Sequence, residues 1–214
     1  MKKRILCFGD SNTYGYNPVD GSRYDETIRW PMVMQRLLGD DYTVIEEGFN
    51  GRTICYDDPA EGGYKSGMQY LPPCLMSHSP LDLVIIMLGT NDSKMRFGLN
   101  SYTIAHAMNI LVQCARQYGL NADGESAEVL VVSPPAIRED VTETLMGPIF
   151  GKDAHEVSAG LDREYARFAK LSRFHHVAAS DFCATSPIDG VHLSPEAQKA
   201  LARGICDAVK KILR

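Results

Sequence analysis

Two short segments at opposite ends of the chain, Gly9-Asp10-Ser11-Asn12-Thr13 and Asp189-Gly190-Val191-His192, hold the side-chain types that nucleophilic catalysis needs. A serine hydroxyl attacks well only when a neighbouring base takes its proton, so Ser11 calls for a histidine. Of the six histidines, only His192 stands three residues after an aspartate, just before a well-capped helical pattern. That spacing in a loop lets the Asp189 carboxylate fold back onto the imidazole, fixing its tautomer and stabilising the imidazolium formed during reaction. Acyl transfer also needs donors aimed at the developing oxyanion. Gly48-Phe49-Asn50-Gly51-Arg52 offers backbone N–H groups that glycine can turn into a cleft. Gly89-Thr90-Asn91-Asp92 offers the Asn91 amide, a donor without charge that does not titrate.

For these segments to meet, the chain must bring them to one edge of one sheet. Short apolar runs alternate with helical patterns, the signature of βαβ units around a parallel sheet covered on both faces. Strands are expected at 4–8, 42–45, 83–88 and 129–132, with a weak one at 176–179. The near-continuous apolar run 83–88 predicts a central strand buried on both faces, and Pro134-Pro135 ends the fourth. Helices are expected at 29–38, with Pro31 in the first turn, at 104–118, closed by Gly119, and at 154–172 and 195–213. Ser194 is the expected N-cap of the last helix, with Pro195 at its first position. Residues 13–29 and 55–80, rich in Gly, Pro and Tyr, read as long connections that shape a binding site or an interface. The segment 121–126 is a polar loop. In open α/β sheets ligands bind at the carboxyl edge, where Ser11 would stand exposed on its glycine turn.

Composition narrows the alternatives. At 214 residues the chain fits one domain spanning 1–214, large enough to need neither disulfides nor a structural metal. A net charge of −5, with scattered basic residues, lacks the footprint of a nucleic-acid binder. No apolar run approaches the roughly 20 residues that span a bilayer. The charged start Lys2-Lys3-Arg4 is followed by an apolar stretch too short for a signal peptide, which predicts a cytoplasmic chain. Its six cysteines, without a C-x-x-C pair, then read as reduced core thiols. His155-Glu156 opens like a zinc-protease helix, but Ala159 stands where the second histidine would be needed. His175 and His176 point to opposite faces if extended. No G-x-S-x-G elbow, Walker loop or G-x-G-x-x-G fingerprint is present.

The ordered set Gly9-Asp10-Ser11, Gly48-x-x-Gly51, Gly89-Thr90-Asn91-Asp92 and Asp189-x-x-His192 resembles the four blocks of the SGNH hydrolases, also called the GDSL esterase/lipase superfamily. The segments 4–11, 44–48 and 82–92 resemble its bacterial arylesterase/acyltransferase branch. The resemblance implies a flavodoxin-like three-layer α/β/α sandwich and two-step ester hydrolysis through an acyl-enzyme. It also implies that Ser11 is the nucleophile, His192 the general base and Asp189 its orienting acid. The oxyanion hole implied by it joins the N–H groups of Ser11 and Gly51 to the Asn91 side chain. Asn12 departs from the leucine of the family name, which argues against a long-chain lipase.

Taken alone, each motif has an ordinary reading as a turn or a helix cap; four in family order, each at a strand end or loop, reverse that. Asp10 reads as a hydrogen-bonding partner of the turn, and Asn12, Thr90 and Val191 as supporting or substrate-lining residues. Tyr14, Tyr16, Tyr24, Trp30 and Tyr56 read by default as core or interface packing, with a wall of the acyl or alcohol pocket as the other use. The expected function is a serine esterase for small short-acyl or aryl esters, with acyl transfer to alcohols alongside. The alternatives are a carbohydrate O-deacetylase and, from another class, a non-catalytic flavodoxin-like ligand-binding module. No metal or organic cofactor is implied. The aromatic-rich connections and the resemblance to an oligomeric branch favour a homo-oligomer.

Overall fold

The computed structural model describes residues 2–214. Its strands are β1 (Lys3–Gly9), β2 (Tyr42–Gly48), β3 (Leu83–Met87), β4 (Glu128–Ser133) and β5 (His175–Ala178). Its helices are α1 (Ser11–Tyr14), α2 (Trp30–Leu38), α3 (Gly67–His78), α4 (Ser101–Tyr118), α5 (Gly147–Phe150), α6 (Ala154–Ala159), α7 (Leu161–Ser172) and α8 (Pro195–Ile212). The strands form one parallel sheet in the order β2-β1-β3-β4-β5. No helix among the described residues is long and apolar enough to cross a membrane.

Side chains alternate across the pleat, so each strand feeds two cores. Leu6 and Phe8 of β1 pack with Leu71 and Leu75 of α3, Met108 and Leu111 of α4 and Tyr165 of α7. Ile5 and Cys7 pack on the other face with Trp30 and Met34 of α2 and Leu201, Ile205 and Val209 of α8. The result is the expected three-layer α/β/α sandwich. Every residue of β3 is buried; each such aliphatic side chain contributes roughly 1.5–3 kcal/mol of burial free energy.

Two expectations are corrected. The connection read at 55–80 contains α3, which sequence patterning misses because Pro72 and Pro73 lie inside it. Each removes a helical N–H donor, at a cost of about 3 kcal/mol. Burial of Leu71, Cys74 and Leu75 and the Ser66 hydroxyl, which accepts the Gln69 N–H at 3.4 Å, offset that cost. The helix read as continuous over 154–172 is two, α6 and α7, meeting at Gly160. A Cβ at Gly160 would lie 2.9 Å from that of Ser101, so it is the glycine's lack of a side chain that makes room for the start of α4. The last strand begins one residue earlier than expected, at His175.

The strand order has its switch point between β1 and β3, where connections depart to opposite faces and a crevice opens at the carboxyl edge. Ser11 follows β1 and Asn91 follows β3. Gly48, the last residue of β2, lies beneath the backbone of α1. A Cβ there would stand 2.5 Å from Tyr14 Cα and 2.6 Å from the Thr13 carbonyl carbon. Gly48→Ala is therefore expected to displace α1 by the order of an ångström. A misplacement of that size costs about 10²-fold in rate, to be read as kcat against an ester alongside circular dichroism showing an intact fold.

Candidate active site

Ser11 opens α1, a single turn capped by Asp10, whose Oδ1 accepts the Asn12 N–H at 3.0 Å. The serine is 6% exposed, a correction to the exposed hydroxyl expected of a glycine turn. The next residue, Asn12, faces away from the cleft and joins the two ends of the chain. Its Oδ1 accepts the Leu193 N–H at 3.0 Å and its Nδ2 donates to the Val191 carbonyl at 3.3 Å. Gln198 of α8 donates to the Asn12 carbonyl at 3.0 Å and accepts the Trp30 N–H at 2.9 Å.

That clamp sets the His192 ring against Ser11. Nε2 lies 2.9 Å from Ser11 Oγ, across 181 residues of sequence. On the ring's other side Nδ1 lies 2.5 Å from Asp189 Oδ2. Asp189 Oδ1 accepts the N–H groups of Val191 at 3.0 Å and His192 at 2.9 Å, which fixes the carboxylate. Burial pushes the Asp189 carboxyl up, but the His192 ring bond, its charge and the two backbone donors outweigh burial and hold it below the ordinary value. An ionised carboxylate on one side of the imidazole and a hydroxyl on the other is an arrangement in which the ring could take the hydroxyl proton while the carboxylate holds its tautomer.

Gly51 has φ +79°, a left-handed conformation that favours glycine. Its N–H and that of Ser11 find no acceptor among the described residues. The Asn91 amide donates to the Arg52 carbonyl at 3.1 Å, with Asp10 Oδ2 at 3.4 Å. Thr90 is buried away from the cleft, whereas Val191 lines it. Asp10 is pushed up to about 6 by burial, against the pull of the Asn12 N–H and the charges of His192, Arg52 and Lys94. Asp92, which accepts the Ile54 N–H, is pushed up to about 7 by burial.

The cleft over Ser11 has a volume of 290 Å³. Met146, Ile149, Phe150 and Val191 form an apolar wall, while Asn50, Glu61 and Lys94 form a polar one. Tyr16 packs against the His192 ring in a tilted arrangement, centroids 4.3 Å apart, the cleft-lining use among the tyrosines. Trp30 is core, Tyr24 is buried with its hydroxyl towards the Leu193 carbonyl, and Tyr56 lies exposed beside Phe97. Lys94 is buried between Glu61 at 2.6 Å and Asp58 at 3.3 Å, and Arg96 contacts both carboxylates. Sequence reading missed Glu61, Lys94 and the wall at 146–150, because short turns without periodicity carry no signal of where they pack.

A parallel α/β/α sandwich with a serine, a histidine and an aspartate joined at its switch point defines the hydrolase class. The chain belongs to the GDSL-like lipase/acylhydrolase family, whose model matches residues 7–200, and it is an ester hydrolase. A carbohydrate acetylesterase from Sinorhizobium meliloti is 40% identical, with a TM-score of 0.90 over 98% of this chain and 99% of that one. The aryl esterase of M. smegmatis is 36% identical, with a TM-score of 0.90 over the same shares. An acetylxylan esterase of Xylanibacter ruminicola is 34% identical over 95 residues, 42% of this chain. The chain spans 17% of that relative's length.

Proposed function

We propose that the chain hydrolyses small short-acyl or aryl esters through a Ser11 acyl-enzyme. The observation that carries this reading is the Ser11–His192–Asp189 hydrogen-bonded series, with Oγ 2.9 Å from Nε2 and Nδ1 held by the carboxylate. Ser11 Oγ attacks the ester carbonyl as His192 Nε2 takes its proton. The tetrahedral oxyanion accepts from the N–H groups of Ser11 and Gly51 and from the Asn91 amide, whose long 3.4 Å contact to Asp10 gives way to it. The imidazolium then protonates the leaving alcohol. Water, deprotonated by the same nitrogen, hydrolyses the acyl-enzyme, and an alcohol in its place receives the acyl group.

The 290 Å³ cleft, closed on one side by Met146, Ile149 and Phe150, supports a short acyl group. For p-nitrophenyl esters from acetate to octanoate, kcat/KM is expected to peak at acetate or butyrate and fall at least tenfold by octanoate. A rise with chain length would overturn the small-acyl assignment. Deacetylation of a carbohydrate is the second reading, supported by the carbohydrate acetylesterase relative and by the polar wall of Asn50, Glu61 and Lys94. A kcat/KM for an acetylated sugar above that for the aryl acetate would favour it. The same proposal takes residues 1–214 as one domain with no nucleic-acid partner, acting in the cytoplasm as a homo-oligomer. Six unpaired thiols support the reducing compartment, and exposed Leu145 and Tyr64 support self-association.

A further inference from the structure

Between β2 and α3, at the edge of the sheet, lies a cluster that the proposed ester hydrolysis does not use. Cys74 and His78 are four residues apart on α3 and so share one face of it. That face meets Glu47 of β2. One ligand atom from each residue (Cys74 Sγ, a His78 ring nitrogen and a Glu47 carboxylate oxygen) lies within 4.8 Å of the other two. His78 Nε2 is 2.8 Å from Glu47 Oε1, and the Tyr70 hydroxyl donates to Glu47 Oε2 at 3.3 Å. Cys74 is buried, while Glu47 and His78 are half-buried and open to solvent. A second cavity of 470 Å³, lined by Glu47, Phe49, Arg52, Tyr64, Gln69 and Tyr70, opens beside the carboxylate.

We propose that Glu47, Cys74 and His78 bind a divalent cation of the zinc class, with the fourth coordination position open to that cavity. Tetrahedral zinc, with bonds of about 2.3 Å to sulfur and 2.0–2.1 Å to nitrogen or oxygen, needs ligand atoms about 3.3–3.6 Å apart. His78 Nε2 and Glu47 Oε1, now hydrogen-bonded at 2.8 Å, would part by about 0.5 Å to admit the ion, and the Cys74 Sγ atom lies within 4.8 Å of both. One thiolate, one imidazole and one carboxylate suit zinc or cobalt and disfavour magnesium and calcium, which demand oxygen ligands. Coordination sends the Cys74 thiol proton to solvent and leaves His78 neutral. The Arg52 guanidinium, 5.2 Å from the Tyr70 ring and bonded to the Glu47 carbonyl, adds a nearby positive charge. The thiolate and carboxylate together outweigh it.

The test is a titration of chelator-treated protein with Co²⁺ and then Zn²⁺, followed by absorption spectroscopy. The expected result is one Co²⁺ per chain, with a thiolate-to-cobalt charge-transfer band that one equivalent of Zn²⁺ removes. Cys74→Ser should abolish the band. His78→Gln, at a half-exposed position that leaves the core untouched, should weaken Co²⁺ binding at least tenfold. If Cys74→Ser fails to fold, His78→Gln alone decides. No band in the wild type, a band that persists in Cys74→Ser, or unchanged affinity in His78→Gln would each overturn the assignment.

Discussion

Ser11→Ala is expected to lower kcat for p-nitrophenyl acetate by about 10⁵–10⁶-fold, His192→Ala by a similar factor, and the double variant by no more than either alone. Non-additivity is the informative part. Oγ and Nε2, 2.9 Å apart, act as one unit, because the hydroxyl without the base is a poor nucleophile and the base without the hydroxyl has nothing to activate. The residual rate comes from the oxyanion donors and binding. A phosphonate should label wild-type protein one to one and leave Ser11→Ala unlabelled. Equal hydrolysis by wild type and Ser11→Ala, or label on another residue, would remove Ser11 from the reaction.

Asp189→Asn should cost about 10⁴ in kcat with little change in KM. The carboxylate does two jobs with its two oxygens: Oδ1 accepts the N–H groups of Val191 and His192, and Oδ2 faces the ring. An asparagine keeps the first job with its carbonyl oxygen. Its amide nitrogen then takes the place of Oδ2 and donates to Nδ1, so the ring proton moves to Nε2, where it faces the Ser11 hydroxyl. The geometry survives and the base is lost. Single-turnover kinetics that show slow acylation with unaltered binding would bear this out; a loss below tenfold would mean that Asp189 only shapes the loop.

The parts of the molecule legible in the sequence are those whose physics is local. The apolar run of β3 is buried at every position, and Ser194 caps α8 as its type and place demand. The four site segments are legible for a related reason: three are turns at strand ends and the fourth is the loop before α8, and the strand order brings the turns of β1 and β3 to one crevice. What stayed hidden depends on distant partners. The prolines of α3 contradict its helical state until the sheet beneath it is known. The burial of Ser11 is set by the clamp through Asn12 and Gln198, residues 186 apart in sequence. Lys94, an unremarkable charged residue by type, is buried because Asp58 and Glu61 arrive from a different connection.

The clamp between Asn12, Leu193 and Gln198 also bears on how activity is acquired during synthesis. On the proposed mechanism the nucleophile is translated 181 residues before its base, and the loop that carries the ring is joined to the turn of Ser11 by contacts that include α8. On that reading a nascent chain that ends before residue 192 carries Ser11, Gly51 and Asn91 without the base, and should form no acyl-enzyme. Reactivity is then expected only once the loop bearing His192 has docked against Asn12, so a translation intermediate stalled before residue 192 should be silent towards esters.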